Sequence, residues 1–318
     1  MEKVLITGAT GFVGKYLIKH LLSLKKYEIY ATYRKEHSLE NFESKEKINF
    51  VKVDLLDKDQ IKNVLKEAKP DIIVHLAAQA AILESIKNPL ETLHNNIDSQ
   101  LFLFESLKEL EMFDVRLLVV LSADVYGYVS HEDLPINEET PFRPGSPYAV
   151  SKAACDLLAY QYFRSSKLKI IRVRPFTHIG PGQKLGFVTS DFAKQIAEIE
   201  KEQIDPVIKV GNLDAKRDFT DVRDVVRAYA LLIENGEAGE VYNIGSGKSH
   251  KISEVLEYFL KHAKVKIKSE TDPNKLRPSD IPDFVADFTK LKKLTNWEPE
   301  IPFEKSLEEI LEFWRNEV

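Results

Sequence analysis

The chain is poor in the residues that mark several functional classes. Its 318 residues include a single cysteine, Cys155, so no intramolecular disulfide is available, and no cysteine or histidine cluster has the spacing of a zinc site. A reducing, cytoplasmic setting with no structural metal is the expectation. Long hydrophobic runs are missing too: stretches such as Leu117 to Leu121 fall far short of the ~20 residues that span a bilayer. Only Val4, Leu5 and Ile6 separate Glu2 and Lys3 from Thr7 and Gly8, too little for a signal-peptide core. No membrane partner is expected. Neither sign of charge dominates: 45 Lys and Arg against 50 Asp and Glu give a formal charge of −5, without a basic stripe, which argues against nucleic acid as a partner. The 13 glycines and 14 prolines are scattered, excluding collagen-like and low-complexity chains.

What is present is a chain able to bury a substantial core, with 43% hydrophobic and 10% aromatic residues. Short apolar runs alternate with longer helix-like stretches: Val4 to Thr7, Glu28 to Tyr33, Asn49 to Val53, Asp71 to Ala77, Arg116 to Ser122 and Lys169 to Arg174. Alternation of this kind marks parallel strands joined by helical crossovers, and runs that are apolar throughout mark strands covered on both faces. A doubly wound α/β sheet follows. After a helix-like Asp224 to Glu234, Glu240 to Ile244 reads as one more strand, so the chain returns to the sheet. The expected division is therefore discontinuous, with residues 1–174 and 222–260 forming the sheet domain and residues 175–221 and 261–318 a smaller α/β substrate-binding domain.

Directly after the first strand comes Thr7-Gly8-Ala9-Thr10-Gly11-Phe12-Val13-Gly14, followed by helical Lys15 to Leu24. Glycines at 8, 11 and 14 allow a tight turn, close approach to a pyrophosphate, and packing of a helix whose N-terminus faces the phosphates. This G-x-x-G-x-x-G loop between strand and helix predicts a Rossmann dinucleotide site built from Gly8, Thr10, Gly11, Phe12, Val13 and Gly14. At the end of the second strand, where an acidic residue would favour NAD, stand Arg34 and Lys35. A cation there suits the 2′-phosphate of NADP(H), with Arg34 the better geometric match; a solvated surface pair, and hence NAD(H), is the alternative. Asp54, with Leu55 beside it, follows the third strand and is placed either to accept from the adenine amino group or to cap a turn. Ala77 and Ala78, after the fourth strand, are small enough for the cofactor to lie against the backbone.

Ser122 ends an apolar strand at the carboxyl edge of the sheet, where ligands of open α/β folds bind. Ser146 is a fitting N-cap and Pro147 a fitting first helical residue, so Tyr148 and Lys152 share one face of the following helix. An ammonium nearby and the positive helix end are expected to favour the phenolate of Tyr148 against its ordinary pKa of about 10. Tyr148 would then exchange a proton with a substrate carbonyl while Ser122 hydrogen-bonds the same oxygen.

These motifs, in this order, resemble the extended short-chain dehydrogenase/reductase family over essentially the whole chain. The second half narrows the likeness. Arg174-Pro175-Phe176-Thr177-His178-Ile179-Gly180-Pro181-Gly182-Gln183, Phe187-Val188, Asp191 to Gln195, Gly211 to Val225 and Leu276-Arg277-Pro278-Ser279-Asp280 resemble the GDP-mannose 4,6-dehydratase and GDP-4-keto-6-deoxy-mannose reductase branch. The resemblance implies a GDP-hexose partner held between the domains, with Phe187, Val188 and Lys194 near the guanine, Arg217 and Arg277 on the diphosphate, and Asp280 on the nucleotide. Guanidinium forks suit a diphosphate; ion pairs with Asp218 or Asp280 are the structural alternative for both arginines. Where the family commonly carries asparagine this chain has Thr177, which departs from one implied substrate contact. His178, beside Gly-Pro, reads as structural rather than as a base.

Loss of water across C5 and C6 of the hexose needs a base and an acid beside the oxidised C4. Dehydratases of the resembled branch usually supply them just after the Ser or Thr, as Asp-Glu or as a small residue followed by Glu. Here the string is Ser122-Ala123-Asp124-Val125-Tyr126-Gly127: Ala123 cannot act as an acid, and Asp124 is one methylene shorter than Glu. The form resembles the reductases, as do Asp272-Pro273, Asp287 and Trp297-Glu298-Pro299. The implied reaction is hydride delivery from NADPH to C4 of GDP-4-keto-6-deoxy-D-mannose, giving GDP-D-rhamnose or its epimer GDP-6-deoxy-D-talose. A 4,6-dehydratase, with Asp124 catalytic, or another nucleotide-sugar epimerase or reductase, is the alternative; a cofactor-sensing protein is disfavoured because Tyr148 and Lys152 are both kept. Finally, Leu101-Phe102-Leu103-Phe104 puts large apolar groups all round one helical turn, so either a partner or other parts of the chain cover its outer face; pairing that helix and the next, with Leu157, across a two-fold axis predicts a homodimer.

Overall fold

The computed structural model describes residues 1–39, 42–275 and 281–318. The chain opens with β1 (Glu2–Thr7), α1 (Phe12–Ser23), β2 (Tyr27–Tyr33), β3 (Ile48–Lys52), α2 (Lys58–Ala68), β4 (Ile72–His75), α3 (Ile82–Lys87), α4 (Pro89–Glu109), β5 (Arg116–Val120), α5 (Pro147–Ser166) and β6 (Lys169–Pro175). It continues with β7 (Thr177–Ile179), α6 (Val188–Glu200), β8 (Val207–Val210), β9 (Lys216–Asp221), α7 (Val222–Asn235), β10 (Val241–Ile244), β11 (Ser249–Lys251), α8 (Ile252–His262), β12 (Lys268–Thr271), α9 (Thr289–Thr295) and α10 (Phe303–Glu317).

Seven of the described strands form one parallel sheet in the order β10-β6-β5-β4-β1-β2-β3. This is the doubly wound Rossmann arrangement, and the order reverses between β1 and β4. The apolar strands are explained by two cores. Val4, Ile6, Ile72, Val74, Leu118, Ile171 and Val173 point to the face covered by α1 and α7, while Leu5, Ile73, Leu117, Val119 and Ile170 point to the face covered by α2, α4 and α5. Alternate residues of each strand are thus buried on opposite faces, so no polar alternation survives.

A third core, with Ile179, Phe192, Ile196, Ile208, Phe219, Val255, Leu256, Phe259, Leu307 and Ile310, joins α6, α8 and α10 over the small sheets β11-β9-β7 and β12-β8. The boundary expected at residue 260 does not follow these cores. Ile252 to Phe259 of α8 pack with α6 and α10, whereas Leu291 and Trp297 of the tail pack into the core under α1 and α7. The reason is amphipathicity: a helix joins whichever core its apolar stripe meets, regardless of its place in the chain. Of the two coverings left open for the turn Leu101 to Phe104, the chain itself supplies one. Leu103 and Phe104 are buried and Leu101 and Phe102 pack against the same core, so α2 and α5 cover this turn within the chain.

Candidate functional site

The glycine loop sits at the reversal of strand order, outside the carboxyl ends of β1 and β4. Gly8 has φ +68°, and a Cβ there would stand 2.8 Å from the Ala77 nitrogen, so the turn leaving β1 lies directly on the segment leaving β4. A Cβ on Gly14 would lie 2.4 Å from the Ala9 carbonyl oxygen and 2.6 Å from that of Gly8, so only glycine lets α1 begin this close to the strand. Gly11 donates to the Gly8 carbonyl at 3.0 Å, closing the turn. The first N–H groups of a helix have no partner within it, and at Phe12 and Val13 they face the crevice with the positive end of the dipole. The Phe12 ring itself turns inward: it stacks on His178 at 6.3 Å and meets Tyr16 edge-on at 5.5 Å. Phe12 therefore offers an anion its backbone, not its side chain, and His178 is a packing residue whose ring burial holds neutral.

At the end of β2, Arg34 is exposed and has no ion pair among the described residues, whereas neighbouring Glu36 is occupied by Lys52 at 3.2 Å. Among the described residues, the end of β2 thus keeps an exposed positive charge that could hold a 2′-phosphate. Asp54 is partly committed to a turn, accepting the Leu56 N–H on Oδ1 at 3.0 Å, which leaves its other oxygen for a ligand; Leu55 is half-buried beside it. Ala78 is exposed next to half-buried Ala77.

The reacting end is assembled by β5 and α5. Ser146 caps α5, its Oγ accepting the Ala149 N–H at 3.1 Å, and Pro147 occupies the first turn, as expected of that pair. Tyr148 and Lys152 follow, both buried, with the Tyr148 phenol near enough to Ser122 to feel its hydroxyl. Ser122 Oγ also accepts the Asp124 N–H at 3.1 Å, starting a short 3₁₀ turn over Ala123–Tyr126. The electrostatics correct the sequence expectation. Burial, and then the Asp124 carboxylate, push the Tyr148 phenol above its ordinary value, against the smaller, lowering effect of the Ser122 hydroxyl. Lys152 donates to the Val120 carbonyl at 2.8 Å, and its own burial lowers its pKa. Desolvation outweighs the ammonium and the helix end, so the resting tyrosine is a neutral phenol, the form that donates a proton. Ala123 is fully buried, packed with Val125, Tyr126 and Phe176.

A family model described as GDP-mannose 4,6 dehydratase matches residues 5–310. The chain belongs to the GDP-mannose 4,6 dehydratase family. Within and around that family it is 36% identical over 317 residues to GDP-6-deoxy-D-mannose reductase of Pseudomonas aeruginosa, covering 100% of this chain and 98% of that one. It is 28% identical to the human GDP-mannose 4,6 dehydratase, covering 96% and 90%. Among solved structures, RMD from Pseudomonas aeruginosa complexed with NADPH superposes with a TM-score of 0.85 at 34% identity, covering 100% of both chains. The UDP-glucose 4-epimerase of Thermus thermophilus complexed with NAD gives 0.85 at 27%, covering 99% and 100%.

Among the residues expected to meet the sugar nucleotide, Thr177 of β7 is half-buried beside Phe219 of β9, and Phe187 and Val188 are half-buried at the start of α6. Lys194, nearly two turns further, is paired with Glu198 at 2.5 Å, so a base at this point would meet an ammonium already paired with a carboxylate. Arg217 of β9 uses Nη1 on the carbonyls of Lys216 and Ile281, at 2.7 and 2.6 Å. Asp218, offered above as its ion-pair partner, is instead buried under the N–H groups of Ser246, Gly247 and Ala286, which pins three separate segments beside Arg217. Arg277 and Asp280 lie outside the described residues.

Two groups were missed in the sequence. His75 ends β4 buried, with Nδ1 2.8 Å from the Thr7 hydroxyl; burial and then the charge of Lys152 lower its pKa to about 3. A lone histidine closing an apolar strand was the available signal. Asn96 of α4 holds the segment after β4 by accepting the Gln79 N–H at 2.7 Å and donating to Ser151 Oγ at 2.8 Å. Nothing in the local sequence distinguishes it from its neighbour Asn95.

Proposed function

We propose that the protein is an NADPH-dependent reductase of GDP-4-keto-6-deoxy-D-mannose, forming GDP-D-rhamnose. The observation that carries this reading is the Ser122-Ala123-Asp124 turn against a neutral Tyr148: it has a proton donor for C4, and Ala123, packed in the core, gives no second acid for C6. The 36% identity to a GDP-6-deoxy-D-mannose reductase over the full chain supports the same direction.

The residues present fit the cofactor. Gly8 and Gly14 leave a cradle that a Cβ would fill, the helix start faces it, and Arg34 supplies unpaired charge for a 2′-phosphate. When bound, NADPH supplies the hydride for C4. Lys152, on the turn of α5 after Tyr148, holds the nicotinamide ribose. Ser122 orients the C4 oxygen, and Tyr148 gives it the phenolic proton. Phe187, Val188 and Lys194 receive the guanine, Arg217 and Arg277 the diphosphate, with Thr177 and Asp280 beside the nucleotide sugar. Asp124 acts on the charge of Tyr148 across the site.

We also propose a homodimer through α4 and α5. Val150, Leu157 and Tyr160 are 44%, 62% and 46% exposed along one side of α5, an apolar strip that a two-fold partner would cover. The lone thiol, free and buried at Cys155, supports a reducing cytoplasmic setting.

The test is NADPH oxidation followed by absorbance with GDP-4-keto-6-deoxy-D-mannose as substrate, and GDP-mannose in a parallel tube. Oxidation in the first tube with no loss of water in the second is the expected result; sugar analysis then distinguishes the rhamno from the talo product. Dehydration of GDP-mannose without NADPH oxidation overturns the reading and makes Asp124 the base at C5.

A further inference from the structure

The Ser122 turn and the Tyr148 helix are joined by a buried polar chain that none of the roles above uses. Asp156 lies one turn beyond Lys152 and two beyond Tyr148, on the same side of α5. Its carboxylate binds both Arg172 Nη1 and Arg174 Nε at 2.7 Å, with all three side chains almost wholly buried. Arg174 Nη1 then donates to the Tyr126 hydroxyl at 2.8 Å and to the Glu138 carbonyl at 2.9 Å, and its guanidinium lies over the Tyr126 and Phe142 rings. Tyr126 in turn donates to Asn243 Oδ1 at 2.7 Å. Asn243 is itself fixed, its N–H on Glu138 Oε1 at 2.8 Å and its amide on the Ile136 carbonyl at 3.0 Å. Tyr126 is the last residue of the 3₁₀ turn that begins after Ser122 and contains Asp124.

We propose that Tyr126 is a positioning residue: the Asp156, Arg174 and Tyr126 chain sets the Ser122–Asp124 turn at its working distance from Tyr148. The proposal rests on the reading of Tyr148 and Ser122 as the reacting pair. Buried ion pairs add little net stability over well-packed apolar side chains of the same volume, so stability alone is a poor reason for three charges here. Their ends are informative instead. One end is on the helix that carries the proton donor, and the other is on the turn that carries its two polar neighbours. Those neighbours act on Tyr148 in opposite senses, Ser122 lowering and Asp124 raising its pKa, so a small shift of the turn changes both.

Asp156→Asn would leave two buried guanidiniums short of charge and could prevent folding, so Tyr126→Phe, which removes one hydroxyl and keeps the ring, is the principal variant. In the full chain we expect kcat for ketone reduction to fall about 10- to 100-fold, with the NADPH dissociation constant and the sugar KM within about two-fold. Amide hydrogen exchange over residues 122–127, which needs no substrate, should rise in the same variant. Wild-type kcat, or wild-type exchange in that segment, overturns the proposal, whatever happens to the melting temperature. If the wild-type enzyme oxidises no NADPH with this ketone, the reductase reading has failed, and exchange alone decides the positioning role.

Discussion

On the proposed reading Arg34 carries the choice between the two nicotinamide cofactors, and Arg34→Ala tests it. The side chain is exposed and unpaired among the described residues, so removing it breaks no ion pair or hydrogen bond among them, and the fold should be unaffected. Neighbouring Glu36 is held by Lys52 at 3.2 Å, a well-exposed pair that gives little stability but keeps the carboxylate away from a phosphate. A hydrogen bond to a charged group is worth about 1.5–3 kcal/mol, so the variant should bind NADPH roughly 10- to 150-fold more weakly. Lys35 is also exposed and can take part of the load, which favours the lower end of that range. NADH has no 2′-phosphate, so its affinity should change by less than about two-fold. The assay is quenching of protein fluorescence by each cofactor at two salt concentrations. Because the contact is at the surface, the wild-type preference for NADPH should shrink as salt rises past about 0.1 M. Equal weakening of both cofactors, or no weakening of NADPH, would refute the assignment.

Tyr148→Phe should cut ketone reduction by about 10²- to 10⁴-fold while NADPH binding is retained, as steady-state rates and cofactor titration will show. Since the phenol is raised above its ordinary value and must be protonated to donate, kcat for reduction should show no alkaline fall caused by this group below about pH 10. His75 sets a stability slope. Its pKa is lowered to about 3 in the fold, so below 6.5 the unfolded chain binds a proton that the folded one does not, and stability falls as pH falls. Between its unfolded pKa and about pH 5 the loss should be about 2 kcal/mol, seen in urea titrations and missing from His75→Asn. Gly14→Ala places a methyl against two carbonyl oxygens and should cost about 1–3 kcal/mol of stability, with weaker NADPH binding. Leu157→Lys puts a charge in the apolar strip of α5 and should yield monomers in sedimentation at micromolar protein; an unchanged dimer would rule that strip out.

Much of the site was legible because its chemistry is local. The glycine loop, Ser146-Pro147-Tyr148 with Lys152, and Ser122 at a strand end each declare themselves within a few residues, through turn geometry, capping and strand polarity. Phe12 and Lys194 show the limit. Sequence named both as candidates without their orientation, and the fold turns the Phe12 ring onto His178 and the Lys194 ammonium onto Glu198. Which way a side chain faces depends on what the fold brings beside it.

The same limit governs proton chemistry. Sequence set a lysine four residues after a tyrosine and suggested a stabilised phenolate. The fold buries the phenol beside Asp124 and turns Lys152 to the Val120 carbonyl, and desolvation reverses the direction. Residue order by itself determined the doubly wound sheet and the glycine turn after β1, and singled out Ser122, Tyr148 and Lys152 as candidates, because strand and helix periodicity and turn stereochemistry act over a few residues. Only the tertiary structure decided which core each helix joined, which charges were neutralised, and how Asp156, Arg174, Tyr126 and Asn243 met. Burial and pairing here join residues 18 to 117 positions apart, and no local pattern carries that information.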